Sequence, residues 1–389
     1  VRKKLWSILL VVVLSLVLAV TGCGGQGKTG TQGASGEKVI KIGFIAPLTG
    51  DVKTFGESAQ KGFDLALEQA GYKAGDYKIE VFKADDRNDA TEAVNVATKL
   101  ITQDGVKAIV GSLTSLTTIP ISKFANDNKV VLISGTATSP KVTVDEGKRK
   151  EYIFRACFID PTQGTVAAKF ALEELKLKTA AILYDQGNDY TIGLANNFKE
   201  AFTAGGGQVL AMEAYAKNDT DFSAVLTNIA KKNPDILYLP DYYQKVSLIG
   251  KQARDKGIKA VFIGGDGWDS SDLDYTTMEG GYFTNHYSAQ DPRPEVQNWV
   301  KQFKEKYNQE PDAFATLTYD ATNLLLNAIK TANSDDPAKI KEALQNTKDF
   351  SIVSGEKVSF DENGNPIKPV TILKIEGGKQ KFVTAIKPN

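Results

Sequence analysis

One histidine, His286, and two cysteines, Cys23 and Cys157, in 389 residues leave no material for a histidine cluster, a cysteine-rich metal site or a disulfide framework. Charge of one sign is not in excess either. Lys plus Arg number 47 and Asp plus Glu 47, so no net field draws the chain to nucleic acid. The G-x-S-x-G turn of serine hydrolases is missing. His286 lies in the strand-like segment YFTNHYS with no carboxylate near it in sequence, which makes it a structural or hinge residue rather than a catalytic base. Cys157, in YIFRACFID, alternates with aromatic residues as a buried, inert strand thiol does. The acidic run Asp85, Asp86, Asp89 lacks the glycine and distal glutamate of a calcium loop, and Asp361, Asn363 and Gly364 read as a hairpin turn. Neither makes a metal site. These absences point away from an enzyme and from any cofactor. What is present is a globular composition, 42% apolar and 24% charged, on a chain long enough for two or three domains of about 100 to 200 residues.

The first residues set the compartment. Arg2, Lys3 and Lys4 precede an apolar run from Leu5 to Val20 that is broken only by Ser7 and Ser15 and ends at Thr21, Gly22 and Cys23. Basic, apolar and small-residue regions in that order form a signal peptide over residues 1–22, and the run is shorter than the roughly 20 residues of a spanning helix. The cysteine after small residues resembles the lipobox of bacterial lipoproteins, which implies lipidation of Cys23 and an extracytoplasmic protein anchored to the membrane. Gly22 to Thr29 also spells G-x-x-x-x-G-K-T, but a phosphate loop needs a strand before it and a helix after it. The segment that follows is too glycine-rich for a helix, with six glycines in the fourteen residues from Gly24 to Glu37. Residues 23–37 therefore read as a tether that spans about 20 Å.

From Val39 onward short apolar runs alternate with helical stripes. Val39 to Ile45 is a strand, Ala59, Phe63, Ala66 and Leu67 stripe a helix ending at Gly71, and strand and helix alternate through KAIVG. The rhythm restarts after Pro161 to Gly164 and runs to AVFIG, followed by a helix from Pro294 to Tyr307, an amphipathic helix with Phe314, Leu317, Ala321, Leu324 and Ala328, and the strand VTILKI. Such alternation builds parallel sheets covered on both faces. A duplicated doubly wound α/β fold brings both sets of strand-end loops around one cleft.

Those loops offer binding chemistry. GSLTSLTTIP puts Ser112, Thr114, Ser115, Thr117 and Thr118 where a strand gives way to a helix, a junction whose free N–H groups and hydroxyls suit a carboxylate. ISGTATSP adds Thr136 and Thr138. In the second half Tyr190, Tyr242 and Asp266 fall at strand ends, and an aspartate among aromatic rings suits an ammonium group. Taken alone, Asp266 in GGDGWDSS reads first as a turn residue.

In order along the chain, IGFIAPLTGDVKTFGESAQKG, ADDRNDATEAVNVATKLI, AIVGSLTSLTTIP, ISGTATSP, FRACFIDPTQG and ILYDQGNDYTIG resemble the branched-chain amino-acid binding proteins of ABC importers, from about Val39 to the C-terminus. The resemblance implies the type I periplasmic binding protein fold, with two doubly wound parallel-sheet lobes joined by three crossings that close on a ligand without a reaction. It implies lobes of 38–159 with 287–354 and 160–286 with 355–389, crossings near Asp160, His286 and Gly355, a monomer, and a membrane permease as partner. Ser115 and Thr138 would hold the ligand carboxylate and the Thr136 carbonyl would meet the ammonium. Asp266 would pair with the ammonium in place of the family's longer glutamate, Tyr190 and Tyr242 would press from the second lobe, and Phe55 would stand near the side-chain pocket. Asp241 and Tyr243, which flank Tyr242, depart from the family pattern and suggest a more polar or differently shaped ligand. The N-terminal-lobe disulfide of the best-known members cannot form here. The expected ligand is an aliphatic amino acid, the alternatives being a small amide, a urea-like molecule, an aromatic acid, or a sensing role at a membrane receptor.

Overall fold

The computed structural model describes residues 37–387. The signal peptide, Cys23 and the tether up to residue 36 lie outside the described residues. Among the described residues no helix is long and apolar enough to cross a membrane.

The first sheet holds β1 (Lys38–Ala46), β2 (Lys73–Ala74), β3 (Tyr77–Asp85), β4 (Ala108–Gly111), β5 (Val131–Ser134) and, after a short hairpin of β6 (Val144–Asp145) and β7 (Lys148–Arg149), β8 (Ile153–Arg155). Its order is β2-β3-β1-β4-β5-β8. β1 is central, and its second half is buried on both faces because Ile42 and Phe44 point to one layer of helices while Ile45 points to the other. Helices α1 (Lys53–Gln69), α2 (Ala90–Lys99) and α3 (Ser115–Asp127) connect these strands. Across the cleft, α4 (Asp160–Glu173), α5 (Asp189–Ala204), α6 (Ser223–Lys232) and α7 (Tyr243–Asp255) cover the second sheet. That sheet contains β9 (Thr179–Asp185), β10 (Gln208–Tyr215), β11 (Ile236–Leu239), β12 (Val261–Gly264) and β13 (Tyr282–Asn285).

The chain then returns to the first lobe as α8 (Pro294–Tyr307), α9 (Ala313–Ala332) and α10 (Pro337–Gln345), with a small hairpin of β14 (Phe350–Ser351) and β15 (Lys357–Val358). It ends in the second sheet as β16 (Val370–Glu376) and β17 (Lys379–Ile386), which gives the order β10-β9-β11-β12-β13-β16-β17. A side chain at Gly62 would put its Cβ 2.0 Å from the carbonyl oxygen of Ala315, so the absence of one lets α1 and α9 pack backbone to backbone.

Three details differ from the sequence reading. β2 and the pair β16 and β17 run antiparallel to their neighbours, so both sheets are mixed at an edge. Cys157 lies just past the end of β8 rather than within a strand, yet it is fully buried, with its Sγ against the Ala137 carbonyl and its thiol pushed up to about 12 by burial. The third crossing comes later than Gly355. Gly364 still accepts from the Arg155 N–H and Asn365 from the Thr143 hydroxyl, both in the first lobe, so the chain changes lobes between Asn365 and Val370.

Candidate functional site

Ser115 is the first residue of α3, and Thr114, which precedes it in extended conformation, offers the helix no side-chain cap. The hydroxyls around it are mostly spent within the protein. Ser112 donates to Asp86, a carboxyl pushed up to about 6 by burial, and Thr114 donates to Asn88 at 2.8 Å. Thr117 donates to Ser112 at 3.0 Å, and Thr136 to the Leu113 carbonyl at 2.7 Å. Ser115 differs, because its Oγ accepts the Ser139 N–H at 3.1 Å and so keeps its own proton to give. Thr138 is 1% exposed, and among the described residues its hydroxyl makes no hydrogen bond of ordinary geometry, with the buried Asp160 carboxyl its nearest acidic neighbour. The first lobe therefore presents a buried helix N-terminus with two hydroxyl donors beside it, a receptor for an anion.

Asp266 faces this array from the second lobe, in the single turn that follows β12. Its Oδ1 accepts from Tyr190 OH at 2.8 Å and from Gln163 Nε2 at 3.0 Å, and its Oδ2 lies 3.0 Å from His286 Nε2. The rings of Tyr190 and Tyr242 stack 5.1 Å apart, 6° from parallel, and burial raises both phenols well above their usual range, so both stay neutral. Among the described residues the Tyr242 hydroxyl has no hydrogen-bond partner. Ser115, Thr136, Thr138, Tyr190, Tyr242 and Asp266 all line one narrow slot, whose cavity volume with the lobes as they stand is about 10 Å³.

Phe55 does not line it. Its ring stacks on the lining residue Phe314, with centroids 3.7 Å apart, and meets the edge of Tyr242 at 5.9 Å, so it backs the wall one layer out. Asp241 is also withdrawn: it accepts from Tyr215 OH and from the Tyr242 N–H, burial pushes it up to about 6, and it carries no polarity into the slot. Tyr243 points to the first lobe, donating to the Asp51 carbonyl at 3.1 Å. Sequence reasoning missed Leu113, Phe314 and Gly267 as lining residues, and Gln163 and His286 as partners of Asp266. Phe314 carried a helical stripe that reads as core, and nothing local to PTQG or YFTNHYS signals an aspartate across space.

Gly267 has a specific duty. Its N–H donates to Tyr190 OH at 3.0 Å, and a Cβ there would stand 2.9 Å from that hydroxyl and 3.0 Å from the Tyr242 ring. Gly267→Ala is expected to displace the stacked tyrosines and weaken ligand binding at least tenfold, about 1.4 kcal/mol, in a calorimetric titration.

The lobes meet around the slot. Thr54 and Ser270 hydroxyls are 2.9 Å apart, and Lys141 pairs with Asp189 at 2.6 Å. Asp269 accepts the Ala313 N–H at 2.8 Å at the start of α9, next to Asp312. These two carboxylates line a larger groove of about 740 Å³, but the narrow slot at Asp266 has the uncapped N-terminus of α3 opposite its carboxylate and so remains the candidate site. Burial pushes both acids above the ordinary range, helped at Asp312 by the charge of Asp269. An acid raised in the folded state costs nothing while both states are protonated and most once the folded state must ionise. Asp312→Asn keeps an oxygen for the Ala315 N–H, and is expected to stabilise the protein by about 1 to 3 kcal/mol at pH 8 and not at pH 3 in urea unfolding.

Two lobes that bring an anion receptor and a carboxylate to opposite sides of one slot define a clamp for a small solute. The chain belongs to the periplasmic binding protein family, whose model matches residues 39–380, and within it to the non-enzymatic Leu/Ile/Val-binding proteins. It is 32% identical over 348 residues to the Leu/Ile/Val-binding protein homolog 3 of Brucella melitensis, covering 87% of this chain and 92% of that one. Among solved structures it matches the leucine-binding protein LivK of Thermotoga maritima with a TM-score of 0.85 and 36% identity, over 90% of this chain and 99% of that one. The isoleucine complex of LivJ from Streptococcus pneumoniae matches with a TM-score of 0.82 and 32% identity, over 90% and 100%. A benzoate-bound solute-binding protein of R. palustris, 24% identical with a TM-score of 0.80, shares the fold.

Proposed function

We propose that this protein is the extracytoplasmic receptor of an ABC importer, held to the membrane through lipid on Cys23, and that it captures a branched-chain or other aliphatic amino acid and delivers it to a permease. The observation that carries the ligand class is the opposition across one slot of the uncapped N-terminus of α3, with Ser115 and Thr138, and the Asp266 carboxylate. A zwitterion satisfies both ends at once. The α-carboxylate meets the helix N–H groups and the two hydroxyls, while the ammonium meets Asp266, the Thr136 carbonyl and the faces of Tyr190 and Tyr242. Leu113 and Phe314 leave the remaining wall apolar, which suits an aliphatic side chain. The two lobes, 38–159 with 287–365 and 160–286 with the C-terminal strands from Val370, close over the ligand and exclude water, which strengthens both charged contacts. The leucine and isoleucine bound by LivK and LivJ support the same reading.

An aromatic acid is the contrasting ligand, since relatives of the fold bind benzoates and two tyrosines stack here. Asp266 argues against it. A benzoate brings no cation, and would leave that buried carboxylate facing a ring. A thermal-shift screen of the amino acids, small amides and benzoates tests the assignment. Leucine, isoleucine or valine at 100 times its dissociation constant stabilises by about 2.7 kcal/mol, and a shift with benzoates alone overturns the amino-acid reading.

A further inference from the structure

The chain has a single histidine, and the three-dimensional structure places it on the most important carboxylate of the site. His286 follows β13 directly, at the second crossing, where its backbone N–H is held by the Asn285 side chain at 2.8 Å. Its ring is wedged between two elements. On one face it stacks on Phe158, from the first crossing, at 3.7 Å and 27°. At its edge Nε2 lies 3.0 Å from Asp266 Oδ2, and the two side chains are 1% and 6% exposed. Tyr190 and Gln163 both bond to Oδ1, so among the described residues His286 is the partner that fixes Oδ2.

The other ring nitrogen, Nδ1, is buried and has no partner among the described residues. A neutral ring with its proton on Nε2 fits this arrangement, because Nε2–H then donates to the carboxylate and Nδ1 needs no acceptor. An imidazolium would strand a second N–H in an apolar setting. Burial lowers the affinity of the ring for a second proton more than Asp266 raises it, and Lys368, on the third crossing, opposes that proton as well. The remaining charged or titratable groups nearby are Arg155 at the end of β8, Cys157 just past it and Asp160 at the start of α4, and among the described residues none of them bonds to the ring.

We infer that His286 is a positioning residue of the ligand site, which as neutral imidazole aims Asp266 Oδ2 at the ligand's ammonium and, when protonated, takes that carboxylate's charge for itself. This rests on the amino-acid reading above. It makes capture proton-sensitive. An ammonium and an imidazolium compete for one carboxylate, so the affinity is constant through neutral pH and falls in acid, below the usual histidine range.

Two measurements test this. In the first, leucine is titrated calorimetrically into the untagged protein, His286→Gln and His286→Phe at pH 8 and pH 5. The wild type is expected to lose at least twofold in affinity on going to pH 5, with the fall steepening at lower pH. His286→Gln keeps an N–H for Oδ2 without a titrating group, and is expected to bind within a few fold of wild type at pH 8 and to lose most of the acid-side drop. His286→Phe removes the donor and is expected to bind at least tenfold more weakly at both values. Wild-type affinity in His286→Phe, or an unchanged acid-side drop in His286→Gln, overturns the proposal.

The second measurement needs no ligand. Because the chain has one histidine, nitrogen NMR of the imidazole reports its tautomer and titration directly. The expected result is a neutral ring protonated on Nε2 at pH 7, whose titration moves to still lower pH in Asp266→Asn. A proton on Nδ1, or a titration indifferent to Asp266→Asn, overturns the pairing. If leucine binds none of the proteins, the amino-acid reading fails, and the NMR result alone decides whether His286 governs Asp266.

Discussion

Asp266→Ala is expected to weaken binding of the amino acid by about 2 to 5 kcal/mol, a loss of roughly 30-fold to several thousandfold. The ligand's ammonium, once enclosed, meets a full charge only at this carboxylate, and closing the lobes around an unpaired cation removes most of the gain from closure. The substitution acts on the free protein as well. Tyr190, Gln163 and His286 all direct donors at Asp266, and each donor left unsatisfied costs about 1 to 3 kcal/mol. The melting temperature should therefore fall in the same variant, and binding should be measured at a temperature where circular dichroism shows it folded. Affinity equal to wild type under those conditions sinks the assignment of Asp266.

Ser115→Asp is the second large effect, and it carries an informative sign. A carboxylate at this position lies at the uncapped start of α3, where the ligand's carboxylate is expected, so it satisfies the helix from within. Binding should drop at least 100-fold, about 2.7 kcal/mol or more, because two anions cannot share the N–H groups of one helix end. Ser115→Ala removes one hydroxyl donor and should cost only about 1 kcal/mol. The contrast separates loss of a contact from occupation of the site. Equal and small effects of the two substitutions, read by calorimetry, would place the carboxylate elsewhere.

What was legible in the sequence is what is local. The strand at Val39 to Ile45 and the helix from Pro294 to Tyr307 declare themselves by period, and the structure has them at nearly the same bounds. Ser115, Thr136 and Thr138 sit at two successive strand ends of one sheet, so one supersecondary unit brings them together. The setting of Asp266 is assembled differently. Gln163 comes from α4, Tyr190 from α5 and His286 from the end of β13, and no spacing within any of those segments points to an aspartate.

Phe55 stands near the slot but one layer behind its wall, for a related reason. An aromatic in the first loop is a fair candidate for the pocket wall until α9, more than 250 residues later, brings Phe314 in front of it. Asp241 looked available because its phenol partner, Tyr215, ends a different strand. β17 is hard to see in the sequence because every one of its residues is exposed or half-buried, whereas its neighbour β16 is mostly buried and reads as a strand.

The central claim is that both charged ends of an amino acid are recognised at once, and three ligands of one shape test it. In calorimetric titrations at pH 7.5 the protein should bind leucine, whereas leucinamide, without the carboxylate, and N-acetylleucine, without the ammonium, should each bind at least 100-fold more weakly. N-acetylleucine or leucinamide binding as tightly as leucine would contradict the account.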